Sequence, residues 1–392
     1  MRIKPSPSSA AADRATALKR AGKNIVSLAV GEPDFDTPAH IRLAASRAMD
    51  KGETRYTMLP GSPELRQAIA AKLKRENDLV YSPADIIVTN GCKSGIYSAL
   101  EATIEAADEV IVPAPYWVSY PDMVLACDGV PKIVACPESQ GFKISPAQLE
   151  AAITEKTRWL LINSPSNPTG ASYTASEYRK LADVLARHPH VLVMTDDIYE
   201  HIRFDDHPTA HLLNAAPELK DRVLAVNGVS KTYAMTGWRI GWIAGPSDLI
   251  GALNTLLSQA SGNACSISQA AAVEALNGDQ SFVSESVATY RTRRDRMLTR
   301  INQIQGLSCL PPDGAFYLYV NCSALIGRKT PAGSLLESDN DVAMYLLESV
   351  GVAVVQGSAY GLSPYFRMSI AASLDVLDDG TNRIARAVSE LR

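Results

Sequence analysis

Short apolar runs alternate with longer amphipathic stretches over about the first 245 residues of the chain. The runs at 86–89, 109–112, 157–163 and 191–196 have the length of buried strands, and the stretch at 176–187 has the apolar spacing of a helix. Strands that alternate with helices predict an α/β domain built on a mostly parallel, seven-stranded sheet flanked by helices. Groups that bind a ligand should then gather at the carboxyl ends of the strands.

The pattern changes after Pro311, where the spacing predicts a strand at 315–320, a single strand at 352–355 and a closing helix at 378–391. These elements predict a smaller α+β domain, formed together with the N-terminal segment. The Pro, Ser and Ala residues at the N-terminus indicate an extended arm before the first helix. The predicted bounds are 1–12 for the arm, 13–45 with 290–392 for the small domain, and 46–289 for the large domain.

The composition is that of an ordinary globular chain, with 46% hydrophobic and 20% charged residues among 392. A net charge of −4 without a basic stripe argues against a nucleic-acid surface. No apolar run approaches the roughly 18 residues that a membrane helix needs, and the N-terminus lacks an apolar signal core. We therefore expect a cytoplasmic protein that binds neither nucleic acid nor membrane.

The cysteines and histidines give no metal-site pattern. The 6 cysteines include no Cys-x-x-Cys pair, which is typical of reduced thiols in an intracellular protein. His207 and His211 are four positions apart, but Pro208 lies between them and no cysteine is near. A loop or helix-cap role for both histidines is favoured over a zinc site, so we expect no metal.

One stretch carries the clearest chemistry. Lys231 follows the small hydroxyl residue Ser230, and Arg239 stands eight positions after the lysine. A primary amine flanked by a hydroxyl and a guanidinium suits a phosphorylated aldehyde, because the amine can form an imine while the other two groups hold the phosphate. Alternatively, Lys231 is a solvated surface lysine and Arg239 belongs to a salt bridge, which leaves the motifs at the other strand ends unexplained.

The segment Ser-Lys-Thr-Tyr-Ala-Met-Thr-Gly-Trp-Arg-Ile-Gly at 230–241 resembles the cofactor-lysine motif of class I, fold-type I pyridoxal-phosphate aminotransferases. More narrowly, the chain is similar to the bacterial aspartate/prephenate aminotransferase branch from Lys4 to about the last helix. The resemblance implies pyridoxal 5'-phosphate held in the large domain. It also implies a homodimer with active sites shared between subunits, and Lys231 as the residue that links to the cofactor and transfers the substrate's proton.

Several motifs at strand ends supply the remaining cofactor contacts that the resemblance implies. The turn at 90–95 follows a strand and opens a helix, which is a generic phosphate cradle. An acid after the strand at 191–196 is costly unless it meets a cation, and both Asp196 and Asp197 fit by position. The resemblance selects Asp196 for the pyridine nitrogen. It assigns the other cofactor contacts to Gly91, Cys92, Lys93, Ser230 and Arg239, to Tyr56 of the neighbouring subunit, to Trp117 on the ring, and to Asn167 and Tyr199 at the phenolic oxygen.

The substrate contacts follow in the same way from the resemblance. Arg367 lies on a predicted strand between aromatic residues, and its planar fork could bind a carboxylate bidentately. The resemblance gives it the substrate's α-carboxylate, together with Gly31 in a proline-rich turn. It adds Trp117, Asn167 and Lys93 to the substrate site, with Lys93 assigned to a distal carboxylate.

The implied reaction moves the amino group of an L-amino acid, aspartate first, to 2-oxoglutarate with ping-pong kinetics. The use of prephenate as a substrate stays open. Lys4-Pro5-Ser6 matches a lysine segment linked to prephenate use in this branch, whereas Pro7-Ser8 differ from the branch's usual threonine region. An aromatic aminotransferase and a carbon–sulfur lyase on the same scaffold are the alternative enzymes. A regulator that uses this fold for sensing is disfavoured, because Lys231 is present and no basic DNA-binding module precedes residue 13.

Overall fold

The computed structural model describes residues 3–205 and 210–392. Strands and helices alternate through most of that chain, as the apolar pattern predicted. The strands are β1 (Val26–Ser27), β2 (Ile86–Thr89), β3 (Glu109–Ala114), β4 (Val130–Ala135), β5 (Thr157–Asn163), β6 (Leu192–Asp196), β7 (Val223–Gly228), β8 (Gly241–Ala244), β9 (Tyr317–Asn321), β10 (Val352–Ala353), β11 (Val355–Gln356) and β12 (Tyr365–Ser369). The helices are α1 (Pro7–Arg20), α2 (Ala39–Asp50), α3 (Pro63–Asn77), α4 (Cys92–Thr103), α5 (Tyr120–Ala126), α6 (Pro146–Ala152), α7 (Ala175–Leu185), α8 (Leu212–Ala215), α9 (Ser247–Ala260), α10 (Ser266–Asn277), α11 (Ser281–Asn302), α12 (Asp339–Val350) and α13 (Leu374–Ser389).

The main sheet has seven strands in the order β2-β8-β7-β6-β5-β3-β4. Strand β8 runs antiparallel to both of its neighbours, whereas the other neighbouring pairs are parallel. The mostly parallel, seven-stranded sheet is thereby confirmed. The carboxyl ends of β5, β6 and β7 lie side by side at one edge, where the predicted site residues follow them.

Alternate residues of the interior strand β5 enter two separate hydrophobic cores. Leu160 and Ile162 pack in one core, and Trp159 and Leu161 pack in the other. A strand that is covered on both faces by helices needs apolar residues at successive positions, which explains the continuous apolar run in the sequence. The result is a rigid platform for the loops that follow the strands.

A second unit holds a three-stranded antiparallel sheet in the order β11-β12-β9, beside the short parallel pair β1-β10. The single strand predicted at 352–355 is wrong. The chain changes partner at Val354, so that β10 pairs with β1 and β11 pairs with β12. The closing helix also begins earlier than predicted, because the Ser373 side chain accepts a hydrogen bond from the Val376 amide and caps α13.

The extended conformation predicted for the N-terminal arm is wrong as well. Helix α1 begins at Pro7, with Ser6 as its N-cap, because a proline at the first helical position and a serine before it favour helix initiation. The Lys4 amide donates to Asp122 Oδ1 at 3.2 Å, and the Ser8 hydroxyl lies 3.4 Å from the Tyr360 hydroxyl. The N-terminus therefore packs on the body of the protein, and the domain bounds themselves stay a prediction.

Two further expectations concern membranes and histidines. Across residues 3–205 and 210–392, no helix is both long enough and apolar enough to cross a membrane. His211 is the N-cap of α8, since its Nδ1 accepts from the Leu213 amide at 3.0 Å, so its predicted cap role is confirmed. His207 lies outside the described residues.

Candidate active site

A cavity of about 320 Å³ opens at the carboxyl ends of β5, β6 and β7. Asn163 ends β5, Asp196 ends β6, and Ser230 follows β7, so the sheet itself brings these residues to one edge. Most of the residues singled out in the sequence line this cavity, namely Gly31, Cys92, Lys93, Trp117, Asn167, Asp196, Tyr199, Ser230, Lys231, Arg239 and Arg367. The topology therefore assembles groups that are up to 336 positions apart in the chain, from Gly31 to Arg367.

The amine of Lys231 lies in this cavity and donates to the Gly31 carbonyl at 2.7 Å. Burial lowers the pKa of this amine to about 8, against the opposing effect of the Glu32 carboxylate. The guanidinium groups of Arg367 and Arg239 lower the pKa further. An amine of this kind is uncharged over a larger part of the physiological pH range than an ordinary lysine, which suits a nucleophile.

We expect the amine of Lys231 in the cofactor-free protein to become reactive near pH 8 and not near 10.5. The sign follows from burial, which disfavours the ammonium, so the proton leaves at lower pH. The measurement is the rate of reductive methylation of the Lys231 peptide against pH, followed by mass spectrometry. Lys180, which is exposed on α7, serves as the internal control. Equal pH midpoints for the two lysines would contradict the assignment.

Asp196 is the carboxylate of the cavity. Its Oδ2 accepts from the Tyr120 hydroxyl at 2.6 Å, and the Asn163 side chain donates to its backbone carbonyl at 2.7 Å. Burial raises the pKa of Asp196 to about 6, whereas the Tyr120 hydrogen bond lowers it. A buried carboxylate with this pKa is ready to accept a cationic partner, because such a partner offsets its desolvation.

Asp197, the competing acid, faces away from the cavity. Its Oδ2 accepts from the Thr195 hydroxyl at 2.8 Å and lies 3.3 Å from Nε2 of His211. These contacts satisfy the carboxylate inside the protein. The structure therefore places Asp196, and not Asp197, where a ligand could reach it.

The turn before α4 forms an anion site. Gly91 has φ 82° and is the N-cap of α4, so the helix presents its first amides and the positive end of its dipole toward the cavity. Arg239 approaches the same turn, because a Cβ on Gly91 would lie 2.5 Å from its Nη2. Arg239 itself has φ 57° and donates to the Thr236 carbonyl at 2.8 Å. Helix amides and a guanidinium at one point are suited to a phosphate.

Cys92 and Lys93 begin α4 and both line the cavity. Burial raises the pKa of the Cys92 thiol, and the Asp196 carboxylate raises it further, so the thiol stays neutral. The Lys93 ammonium lies 4.9 Å from the ring centre of Trp117, which is a cation–π contact. Trp117 in turn meets Tyr120 edge to face at 5.3 Å, and this contact fixes the indole plane beside the cavity.

Strand β12 brings a second guanidinium, that of Arg367, to the cavity. Its Nη1 donates to Asn167 Oδ1 at 2.9 Å, and its Nη2 donates to the Ala29 carbonyl at 2.7 Å. Its buried Nε has no hydrogen-bond partner among the described residues. The guanidinium lies 4.3 Å from the centre of the Tyr317 ring. A buried arginine whose guanidinium lines the cavity and lies over a tyrosine ring is suited to binding a carboxylate.

Tyr120 and Tyr317 belong to the site, but sequence reasoning missed them. Tyr317 lies on β9, where its hydroxyl is 2.8 Å from that of Tyr199. A Cβ on Gly31 would lie 2.7 Å from the same Tyr317 hydroxyl, so the glycine permits this close approach. A weak signal existed, since Tyr120 follows Trp117 by three positions and Tyr317 interrupts an apolar strand with a hydroxyl. Ser6, Ser8 and Ser9 of the N-terminal segment also line the cavity.

Two predicted site residues do not line this cavity, namely Gly91, which forms the turn before α4, and Tyr56. The Tyr56 side chain is 97% exposed in the single chain, and Met58 beside it is 56% exposed. The prediction that Tyr56 serves a neighbouring subunit therefore needs a second chain.

Comparison with known proteins gives consistent matches over nearly the whole chain. A family model described as "Aminotransferase class I and II" matches residues 23–384. Aspartate aminotransferase of Rhizobium meliloti (strain 1021) is 50% identical over 378 residues, which cover 96% of this chain and 92% of that protein. A probable aspartate/prephenate aminotransferase of Rickettsia bellii is 50% identical over 389 residues, covering 99% of this chain and 98% of that protein.

Solved structures give the same result. The crystal structure of the Rhizobium meliloti aspartate aminotransferase superposes with a TM-score of 0.97 at 49% identity, covering 100% of this chain and 98% of the other. The Thermus thermophilus aspartate aminotransferase with maleate superposes with a TM-score of 0.91 at 37% identity, covering 98% and 97%.

Proposed function

Since the chain belongs to the class I and II aminotransferase family, we propose that it transfers the amino group of aspartate to 2-oxoglutarate. The enzyme is a pyridoxal-phosphate-dependent transaminase that acts on amino acids and 2-oxo acids. The observation that carries the proposal is the position of Lys231. Its amine shares one cavity with a carboxylate, Asp196, and with two guanidinium groups, Arg239 and Arg367.

The residues present fit pyridoxal phosphate. The first amides of α4 and the Arg239 guanidinium meet at the Gly91 turn, which suits a phosphate. Asp196 is a buried carboxylate that lacks a cationic partner at hydrogen-bond distance among the described residues, which suits a protonated pyridine nitrogen. Ser230 would join the phosphate contacts, and Trp117 would cover the ring face.

Each of these side chains then has a defined task. The bound cofactor supplies an electron sink for the pair of electrons released when the α-carbon loses its proton. The Lys231 amine would hold the cofactor covalently and, when free, would move the proton at the substrate's α-carbon. Asp196 would keep the ring nitrogen protonated, because a buried carboxylate is stabilised by a cation. Tyr199 and Asn167 would stabilise the phenolic oxygen.

Substrate binding follows from the two remaining cations. Arg367 would bind the α-carboxylate through its guanidinium, which lines the cavity with Gly31 close by. Lys93 would bind the distal carboxylate of aspartate, since its ammonium lies at the cavity wall over Trp117. A dicarboxylic donor and a dicarboxylic acceptor can use the same pair of cations in turn. Ping-pong kinetics are therefore expected.

We further propose a homodimer in which Tyr56 completes the phosphate site of the neighbouring subunit. The large exposure of Tyr56, with the exposed Met58 next to it, supports a surface that a second copy covers. In this arrangement each active site depends on both chains.

A panel of amino donors with 2-oxoglutarate tests the function. We expect aspartate to give the highest kcat/KM, at least about tenfold above neutral amino acids, because a site built around a charged group rejects analogues that leave that group unpaired. Glutamate and oxaloacetate should form in equal amounts. Pyruvate with free ammonia would instead indicate a lyase. With aspartate as the donor, prephenate or an aromatic keto acid that is a better acceptor than 2-oxoglutarate would replace 2-oxoglutarate in the proposal.

A further inference from the structure

A buried polar cluster lies on the far side of the loop that carries Lys231, away from the substrate cavity. Glu200 is its centre, 5% exposed. Its Oε1 accepts from Lys72 and, at 2.6 Å, from the Asn227 side chain, while its Oε2 accepts from Asn77 at 2.6 Å. Burial by itself would raise the pKa of Glu200, but the Lys72 ammonium outweighs burial and lowers this pKa to about 2. Glu200 therefore stays ionised, and its carboxylate is held by Lys72 and Asn77 of α3.

His201 extends this cluster to the residue next to Lys231. Its Nε2 lies 2.9 Å from Glu76 Oε2, and its Nδ1 lies 3.2 Å from the Thr232 hydroxyl. Thr232 is 4% exposed, so water does not compete for that hydroxyl. The imidazole thus links a carboxylate on α3 to the peptide that follows the catalytic lysine.

Glu76, Glu200 and His201 have ligand atoms close enough to hold a metal ion, but the structure gives a simpler account. The Lys72 ammonium is hydrogen bonded to Glu200 and lies 3.5 Å from Glu76. The Lys72 ammonium lies between the two carboxylates and Arg75 also pairs with Glu76, so two cations balance the two carboxylates without a metal.

Two hydrogen-bonded links join residues 196–201 to residues 227–232. Glu200 holds Asn227, whose Oδ1 accepts from the Gly228 amide at 2.7 Å, and His201 holds Thr232. Residues 196–201 carry Asp196 and Tyr199 on their cavity face, and residues 227–232 carry Lys231. Both pairs start from the C-terminal end of 196–201 and reach the two ends of 227–232, so they restrict the distance between the carboxylate and the amine that must act on one ligand.

We propose that His201 is a positioning residue for transamination: through Thr232 it holds the main chain of Lys231 in the orientation that proton transfer needs. The proposal rests on the proposed function of Lys231. His201 does not line the cavity, and its hydrogen bond toward the Lys231 segment goes to the hydroxyl of Thr232, while its Nδ1 also lies 3.6 Å from Glu200 Oε1. Its effect should therefore fall on the chemical step and not on substrate binding.

The experiment compares Thr232→Val, His201→Gln and the double variant in the holoenzyme. Thr232→Val removes only the hydroxyl at nearly constant volume, and His201→Gln keeps a polar group toward Glu76 but removes the one toward Thr232. We expect each single variant to lower kcat about tenfold, as small displacements of an acid–base group do, with the KM for aspartate unchanged within about twofold. The double variant should be no worse than either single variant, because both break one link.

Two controls separate positioning from general damage. Thr232→Ser keeps the hydroxyl and should restore kcat. His188→Gln removes a similar histidine–glutamate contact, 3.0 Å from Glu150, on the surface far from Lys231, and should leave kcat unchanged. A kcat within twofold of wild type in Thr232→Val, or losses that add in the double variant, would overturn the proposal.

A second readout uses the cofactor-free protein. The pH midpoint for reductive methylation of Lys231 should shift in Thr232→Val and His201→Gln, and should stay unchanged in His188→Gln. A fall in kcat that tracks the melting temperature, with an unshifted midpoint, would assign His201 a structural role only. Failure of the proposed function can be distinguished from failure of the His201 proposal. If the proposed function fails, borohydride reduction of the wild-type holoenzyme leaves the Lys231 peptide without the cofactor's mass.

Discussion

Replacement of Lys231 by alanine should lower kcat by at least about 10⁴-fold, the upper end of what a positioned acid–base group supplies. The variant loses both the covalent attachment and the amine that moves the α-proton. No second amine can replace it, because Lys93, the other lysine that lines the cavity among the described residues, is held over Trp117. Single-turnover and steady-state rates with aspartate are the measurement.

The matched control is Lys180→Ala, which removes an exposed lysine from α7 and should leave the rate unchanged. The holoenzyme of the Lys231→Ala variant should also lose the visible absorbance of the covalent link. A variant that keeps its colour and its rate would show that another residue holds the cofactor.

Replacement of Asp196 by asparagine should lower kcat by about 10²- to 10³-fold. Removal of one partner from a buried ion pair costs about 3–5 kcal/mol, and each 1.4 kcal/mol corresponds to a factor of ten in rate. The substitution keeps the size of the side chain and removes the charge that holds the ring nitrogen protonated. The steady-state kcat, measured at saturating cofactor, tests this.

The pH dependence of cofactor affinity adds a second test of Asp196. The pKa of this carboxyl in the cofactor-free chain is raised to about 6, so its charge is present above that pH and is lost as pH falls through it. Affinity for the protonated cofactor should therefore weaken below about pH 6, and Asp196→Asn should remove this dependence. Asp197→Asn is the control, because Asp197 contacts His211 away from the cavity and should affect the melting temperature more than kcat. The reverse result would exchange the roles of the two acids.

The apolar pattern predicted the main sheet well, because its strands are covered on both faces and their composition reflects that directly. The prediction failed at 352–356, where the strand changes its hydrogen-bonding partner while the side chains keep the same apolar character. Val352–Ala353 and Val355–Gln356 are both apolar for the most part, and only their pairing with β1 and β12 divides them. The start of the N-terminal helix was missed for a different reason, since the Pro, Ser and Ala composition of its first turns hides a capped start at Ser6.

The candidate site was predicted mainly through local motifs, and its long-range contacts were not. Arg367 was identified as a carboxylate site, but its bond to Asn167 joins residues 200 positions apart. The contact between the Tyr199 and Tyr317 hydroxyls spans 118 positions in the same way. A single sequence holds no record of such pairs. The role of Tyr56 stays a prediction, because it concerns a surface between two chains.

The close approach of Arg239 to Gly91 has a consequence for how this scaffold can diverge. Any β-carbon at position 91 would meet the guanidinium, and the positive φ of that residue adds strain for every L side chain. A lineage that acquires a larger residue at 91 must also shift the guanidinium at 239 out of its present place beside the turn. Change at 91 is therefore coupled to the inherited arginine, whereas a shorter side chain at 239 leaves the glycine undisturbed.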